Sequence, residues 1–215
     1  MNKKSLFKIL LLVGLVGFAT WNFFRPSDGR RIDLNPYQAL GMVSGEEVSK
    51  LLQHQGRVVL VTPDPGDSSD PVLDAQVAAF RKGLAAAGKA RVEATSTIKL
   101  DGFTAMRTGG AAPPEALKEL FAKHQGADAM VFFIGLPPVD AETMGPTVVG
   151  KTKIVVVSPP FAWYPGLVNQ GLLHLAIVSR SNEAADVANS GTTLRATFDR
   201  EYEILRPSAG STPSK

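Results

Sequence analysis

The chain has 215 residues, 44% hydrophobic and 20% charged, which fits one globular domain with an appendage and excludes a disordered or collagen-like protein. The formal charge is +3 from 23 basic and 20 acidic residues, but Lys3, Lys4, Lys8 and Arg25 stand in the first 25 residues with no acid, leaving 19 basic against 20 acidic, a net of −1. That balance argues against a nucleic-acid partner, which calls for a basic face, and the absence of cysteine removes disulfides, thiolate metal sites, iron–sulfur cofactors and cysteine nucleophiles.

Residues 1–5 form a short basic tail. Leu6 to Phe24 then make an almost uninterrupted apolar run of 19 residues, which at about 1.5 Å per residue spans a bilayer core of about 30 Å. Lys8 can snorkel at one end, and Trp21, Phe23 and Phe24 gather at the other, where aromatic rings favour the membrane interface. The run is expected to be a transmembrane helix or signal anchor; cleavage after Gly17-Phe18-Ala19 is the rival reading. The short basic tail stays inside, so the bulk of the chain is expected outside the cytoplasm, periplasmic or at the cell surface.

Residues 25–43 mix prolines, glycines and charges and read as a linker, and residues 44–206 as the folded domain. Ser44-Gly45-Glu46-Glu47 has the spacing of a capping box and predicts a short helix ending near Gly56. Arg57–Thr62 (RVVLVT) is a β-branched run suited to a strand buried on both faces. It ends in the breaker cluster Pro63-Asp64-Pro65-Gly66-Asp67. Asp70-Pro71 then supplies the cap and first-turn proline of a helix with Leu73, Val77, Phe80 and Leu84 at helical spacing, closing at Gly88. Further strands are expected at Arg91–Ile98, Ala129–Gly135, Lys153–Ser158 and Leu175–Val178, with helices over Pro114–Lys123 and from near Pro165. In the tail, a helix to about Arg200 followed by a short edge strand satisfies both periods seen between Thr193 and Leu205; residues 207–215 read as a disordered tail. Alternation of buried strands with helices predicts a doubly wound α/β domain, a mostly parallel sheet in a Rossmann-like three-layer lobe.

The segment FRKGLAAAG (Phe80–Gly88), lying between RVVLVT and ADAMVFFIGLP (Ala127–Pro137) and followed by KIVVVSPP, resembles one lobe of the type I periplasmic sugar-binding proteins and the effector domains of their repressor relatives. The resemblance covers about residues 57–160. It implies a binding protein rather than an enzyme. Those proteins clasp ligand between two lobes, whereas this chain has length for one, so the resemblance leaves open a small molecule or an envelope protein as partner.

Gly145 to Thr152 (GPTVVGKT) matches the phosphate-loop pattern, yet Lys151-Thr152 lead into a strand, where a phosphate loop opens a helix; a plain connection is expected. Asp64, Asp67 and Asp70 gather at the end of the first strand, where an open parallel sheet places its ligands. They could hold a divalent cation, but a turn and a helix cap explain them better and no metal is expected. Leu136–Asp140 and Ser158–Tyr164 end the neighbouring strands and bring Asp140, Ser158, Trp163 and Tyr164 to the same sheet edge. Asp64, Asp67, Asp140, Ser158, Trp163 and Tyr164 are therefore the candidate ligand-binding residues, although the aromatics could equally serve to cover the sheet end. His54, His124 and His174 lack paired ligand spacing and no nucleophile elbow surrounds any serine. The sequence thus predicts a non-enzymatic, membrane-anchored binding domain without a cofactor. A carboxylate- or metal-dependent hydrolase is the alternative, and a purely structural envelope component the third.

Overall fold

The computed structural model describes residues 32–66, 69–145, 151–157, 159–180 and 193–207. Contacts divide the chain after Asp33, and the fold is that of the second unit. The apolar run at residues 6–24 and the tail beyond 207 lie outside the described residues, among which no helix is long and apolar enough to cross a membrane.

In chain order the elements are α1 (Asn35–Leu51), β1 (Arg57–Pro63), α2 (Pro71–Ala87), β2 (Arg91–Ile98), α3 (Gly102–Thr108), α4 (Pro114–Lys123), β3 (Ala129–Phe132), α5 (Ala141–Met144), β4 (Lys153–Val157), α6 (Tyr164–Asn169), β5 (Leu175–Ser179), α7 (Leu194–Glu201) and β6 (Tyr202–Leu205). They form one six-stranded sheet in the order β2-β1-β3-β4-β5-β6. The first five strands run parallel and β6 pairs antiparallel with β5. Burial is total along the central strands, as their β-branched runs require: Val58, Leu60, Ala129, Val131, Ile154 and Val155 all have zero exposure.

Alternate residues of each strand feed two separate cores. On one face Val59, Val61, Met130, Phe132, Ile154 and Val156 pack under α4, α5 and α6. On the other, Val58, Leu60, Val131, Val155 and Ile177 pack under α1, α2 and α7, with Phe80 of α2 meeting Phe133 edge-on at 5.6 Å. The sheet is thus covered on both faces, as expected of a doubly wound lobe.

The start of the domain departs from expectation. Residues 35–43 are half of a 17-residue helix, not linker, and Ser44 lies inside that helix, its hydroxyl donating to the Leu40 carbonyl at 2.6 Å. Glu47 is buried rather than capping. The reason is that α1 packs by backbone approach instead of by a stripe of large side chains. A Cβ on Gly41 would lie 2.1 Å from the Gln76 carbonyl oxygen, one on Gly45 2.3 Å from that of Phe80, and one on Gly83 of α2 2.1 Å from that of Met42. Small residues let two helices come this close. Because Gly41 faces Gln76 and Gly45 faces Phe80 and Leu84, α1 and α2 run in the same direction, and the domain is entered at the pole where the parallel strands end. The antiparallel β6 carries the chain back to the opposite pole.

Smaller differences concern the strand ends. β3 stops at Phe132, after which Phe133 still donates its N–H to Val61 and Gly135 forms an isolated parallel bridge with Ala111. The helix α3 was not signalled by periodicity, since it buries no residue; the Asp101 carboxylate starts it, accepting from the Thr104 N–H and hydroxyl, bonds that hold its own pKa below the ordinary value. The carboxyl-terminal helix and edge strand form as α7 and β6. Glu47 ties them to α1: its buried carboxylate meets Lys50 at 2.9 Å, Arg195 of α7 at 4.0 Å, and Arg206.

Candidate functional site

In this strand order β1 lies between β2 and β3. The chain leaves β1 for α2 on one face, while the loop after β3 leads to α5 on the other. Such a reversal opens a crevice at the carboxyl ends of the two strands, the usual ligand position in an open α/β sheet. The loops beginning at Asp64, Phe133 and Pro159 surround it.

After β1, the Asp64 N–H donates to the Ile98 carbonyl at 2.9 Å and its carboxylate accepts from the Gly66 N–H at 3.1 Å, leaving an exposed acid on a fixed turn. Asp67 lies outside the described residues. Asp70 caps α2, accepting from the N–H groups of Val72 and Leu73. Asp64 and Asp70 therefore do not act alike, and among the described residues no group of three His, Asp or Glu side chains could hold a metal ion.

After β3, the backbone at Leu136 is gripped from both sides. Its N–H donates to the Tyr164 hydroxyl at 3.0 Å, and its carbonyl accepts from the Trp163 indole N–H at 2.8 Å. Phe161 stacks on Trp163 with centroids 4.6 Å apart, and its ring lies over Gly135, where a Cβ would come within 2.7 Å of it. Gly135 is needed for that approach. The consequence differs for the two predicted aromatics: Tyr164 has zero exposure and supports the loop from behind, whereas Trp163 stays partly exposed. Phe161, absent from the sequence-derived set, belongs to the same cluster; its only signal was its place between Pro160 and Trp163. Asp140 is exposed at the end of the Leu136 loop, just before α5. Ser158 lies outside the described residues. Asp64, Asp140 and the Phe161–Trp163 pair thus lie in the segments that follow the adjacent strands β1, β3 and β4.

The phosphate-loop pattern lies at the other pole. Residues 146–150 are outside the described set, but Lys151 and Thr152 run directly into β4, and the Thr152 hydroxyl is spent on the Ala127 carbonyl at 3.0 Å. No helix follows the lysine, so the arrangement of a phosphate loop is not made there. The histidines are structural. His54 Nδ1 bonds the Ala87 carbonyl at 2.7 Å, and His124 Nε2 lies 2.9 Å from the Ser96 hydroxyl, its pKa lowered by burial and by Lys123. The Nδ1 of His174 accepts from the Ile154 N–H at 3.2 Å, and burial lowers this ring to a pKa of about 4.

No protein-family model and no curated protein matches the chain. Solved structures do, and the fold they define is that of sugar-binding proteins of ABC transporters, one lobe of which this domain resembles. The "XylFII molecule" aligns with a TM-score of 0.53 and 15% identity over 80% of this chain and 61% of its own, and a chain of a "XylFII-LytSN complex" with 0.52 and 15% over 79% and 59%. A solute-binding protein from Burkholderia graminis C4D1M in complex with D-arabinose aligns with 0.50 and 18% over 66% and 46%. The likeness is one of fold, and the chain spans about half to three fifths of the length of these structures.

Proposed function

We propose that this domain is a non-enzymatic, extracytoplasmic binding domain, held to the membrane by residues 6–24, whose ligand sits at the carboxyl ends of β1, β3 and β4. The observation that carries this reading is that exposed carboxylates, Asp64 and Asp140, and the stacked Phe161–Trp163 pair all follow strands that end at the same edge of the sheet, beside its reversal point. An aromatic face beside fixed hydrogen-bond acceptors suits a sugar, whose rings are apolar on the face and polar at the rim. Arabinose in one structural neighbour and a protein partner in another support the same two ligand classes for this chain. Asp67 and Ser158 belong to the proposed set through their position in the first and third of these loops.

Thermal unfolding of the full chain against pentoses, hexoses, amino acids, nucleotides and divalent ions tests this. A ligand at a hundredfold excess over its dissociation constant stabilises the native state by about 2.7 kcal/mol. The shift is expected from a sugar and is expected to vanish in Asp64→Asn and Asp140→Asn variants that unfold normally without ligand. A shift given by metal ions alone, or one that survives both substitutions, would overturn the assignment of the site; a flat panel would overturn the small-molecule form of the reading.

A further inference from the structure

The free edge of the sheet carries a second feature, next to the site above. Among the described residues β2 is the terminal strand, paired only with β1. In a parallel strand the N–H and C=O of one residue point to the same side, and alternate residues point to opposite sides. The Ile98 carbonyl accepts from Asp64 on the β1 side, so the peptide groups of Thr95 and Thr97 point away from the sheet. Both residues are exposed. The ladder to β1 shifts register beside Glu93, which confines a regular free edge to the stretch from Ala94 to Ile98.

Two grooves flank this same stretch, one on each face. A cavity of about 370 Å³ against α2 is walled by Pro63, Leu73, Val77 and Ala78 beside Thr95 and Thr97. A second, of about 480 Å³ against α4, runs along Thr95 to Lys99 and carries Lys99, Lys123 and Glu119 at its rim. The first groove is mostly apolar, with Asp74 and Arg81 also in its lining and the Arg81 guanidinium donating to the Thr95 hydroxyl at 2.8 Å; the other has two cations to one acid. Side chains of a strand laid along β2 would alternate between them, since successive residues face opposite sides.

The geometry points to β2 as a docking edge for an extended segment of a partner protein that alternates aliphatic and acidic residues. Its backbone pairs with Thr95 and Thr97, its aliphatic side chains enter the α2 groove, and its acidic side chains meet Lys99 and Lys123. Backbone pairing supplies affinity and the paired grooves supply selectivity, the physics of strand addition to an open sheet edge.

The test uses the full chain and short fluorescent peptides alternating Val, Ile or Leu with Glu. At least one is expected to bind with a dissociation constant below about 1 mM. Binding is expected to fall about tenfold or more when alternate peptide nitrogens are methylated, in Thr97→Pro, whose N–H points away from β1, and in Ala78→Glu, which fills the mostly apolar groove from an exposed position. Lys123→Glu should instead shift preference to peptides carrying Lys in place of Glu. Thermal unfolding of each variant confirms that it folds. The proposal is overturned if no peptide binds, if methylated peptides bind equally, or if sedimentation shows a second copy of the chain on this edge, seen as a dimer that Thr97→Pro dissociates.

Discussion

His174 illustrates how one ring fixes a pH response. Its Nδ1 must stay unprotonated to accept from the Ile154 N–H, and burial lowers its pKa from 6.5 to about 4. Between these values the unfolded chain takes up a proton that the native state refuses, so stability falls as pH drops through this window and is unaffected by this group above it. The loss is on the order of 2 kcal/mol for a ring that keeps some solvent contact. His174→Asn keeps an acceptor and cannot titrate; urea unfolding at a series of pH values should show a flatter profile for the variant than for the parent, and identical profiles would refute the argument. Glu47 makes a second case. Its carboxylate is buried while its partners Lys50, Arg195 and Arg206 are about half exposed. Removing the acid leaves cations that water can solvate, but removing the cations leaves a buried charge. Glu47→Gln should therefore cost about 1 kcal/mol and the double change Arg195→Ala, Arg206→Ala about 3 kcal/mol; equal costs in denaturant unfolding would contradict this.

At the scale of elements, sequence and structure agree where side chains carry the packing and part where backbone does. The strands were legible because RVVLVT and KIVVV have little alternative to double burial, and α2 because Asp70 and Pro71 announce its first turn. The first half of α1 was hidden: Gly41 is one of its contact residues, and a glycine in a mixed segment looks like a linker. The glycines of this helix contact give a test. Gly45→Val or Gly83→Val should destabilise by about 1–3 kcal/mol or more through overpacking, whereas Gly166→Ala, where an added Cβ meets nothing within 4 Å, should change stability by little. Chemical denaturation with unchanged slope would read both. At the candidate site the strand-end positions were legible, but the division of labour between Tyr164 and Trp163 was not, because both are fixed by the Leu136 backbone nearly thirty residues away. Local pattern holds no record of such a contact.

For the whole molecule, a six-stranded lobe with helices on both faces carries the two features proposed for recognition, the strand ends with Asp64, Asp140 and Trp163, and the open edge of β2. They use different chemistry, ring stacking and carboxylates in one and backbone pairing in the other. Substitutions at Asp140 or Trp163 should therefore leave the edge unchanged, while the loop of Asp64 borders both. The path of the chain adds a mechanical property. It enters at the pole where the parallel strands end, along α1, and leaves at the opposite pole after β6. A load applied between Leu34 and Arg206 consequently runs along the strands, and the β5–β6 bonds, which lie across that direction, are sheared together instead of being opened one at a time. Under tension, the domain should yield late and in a single step.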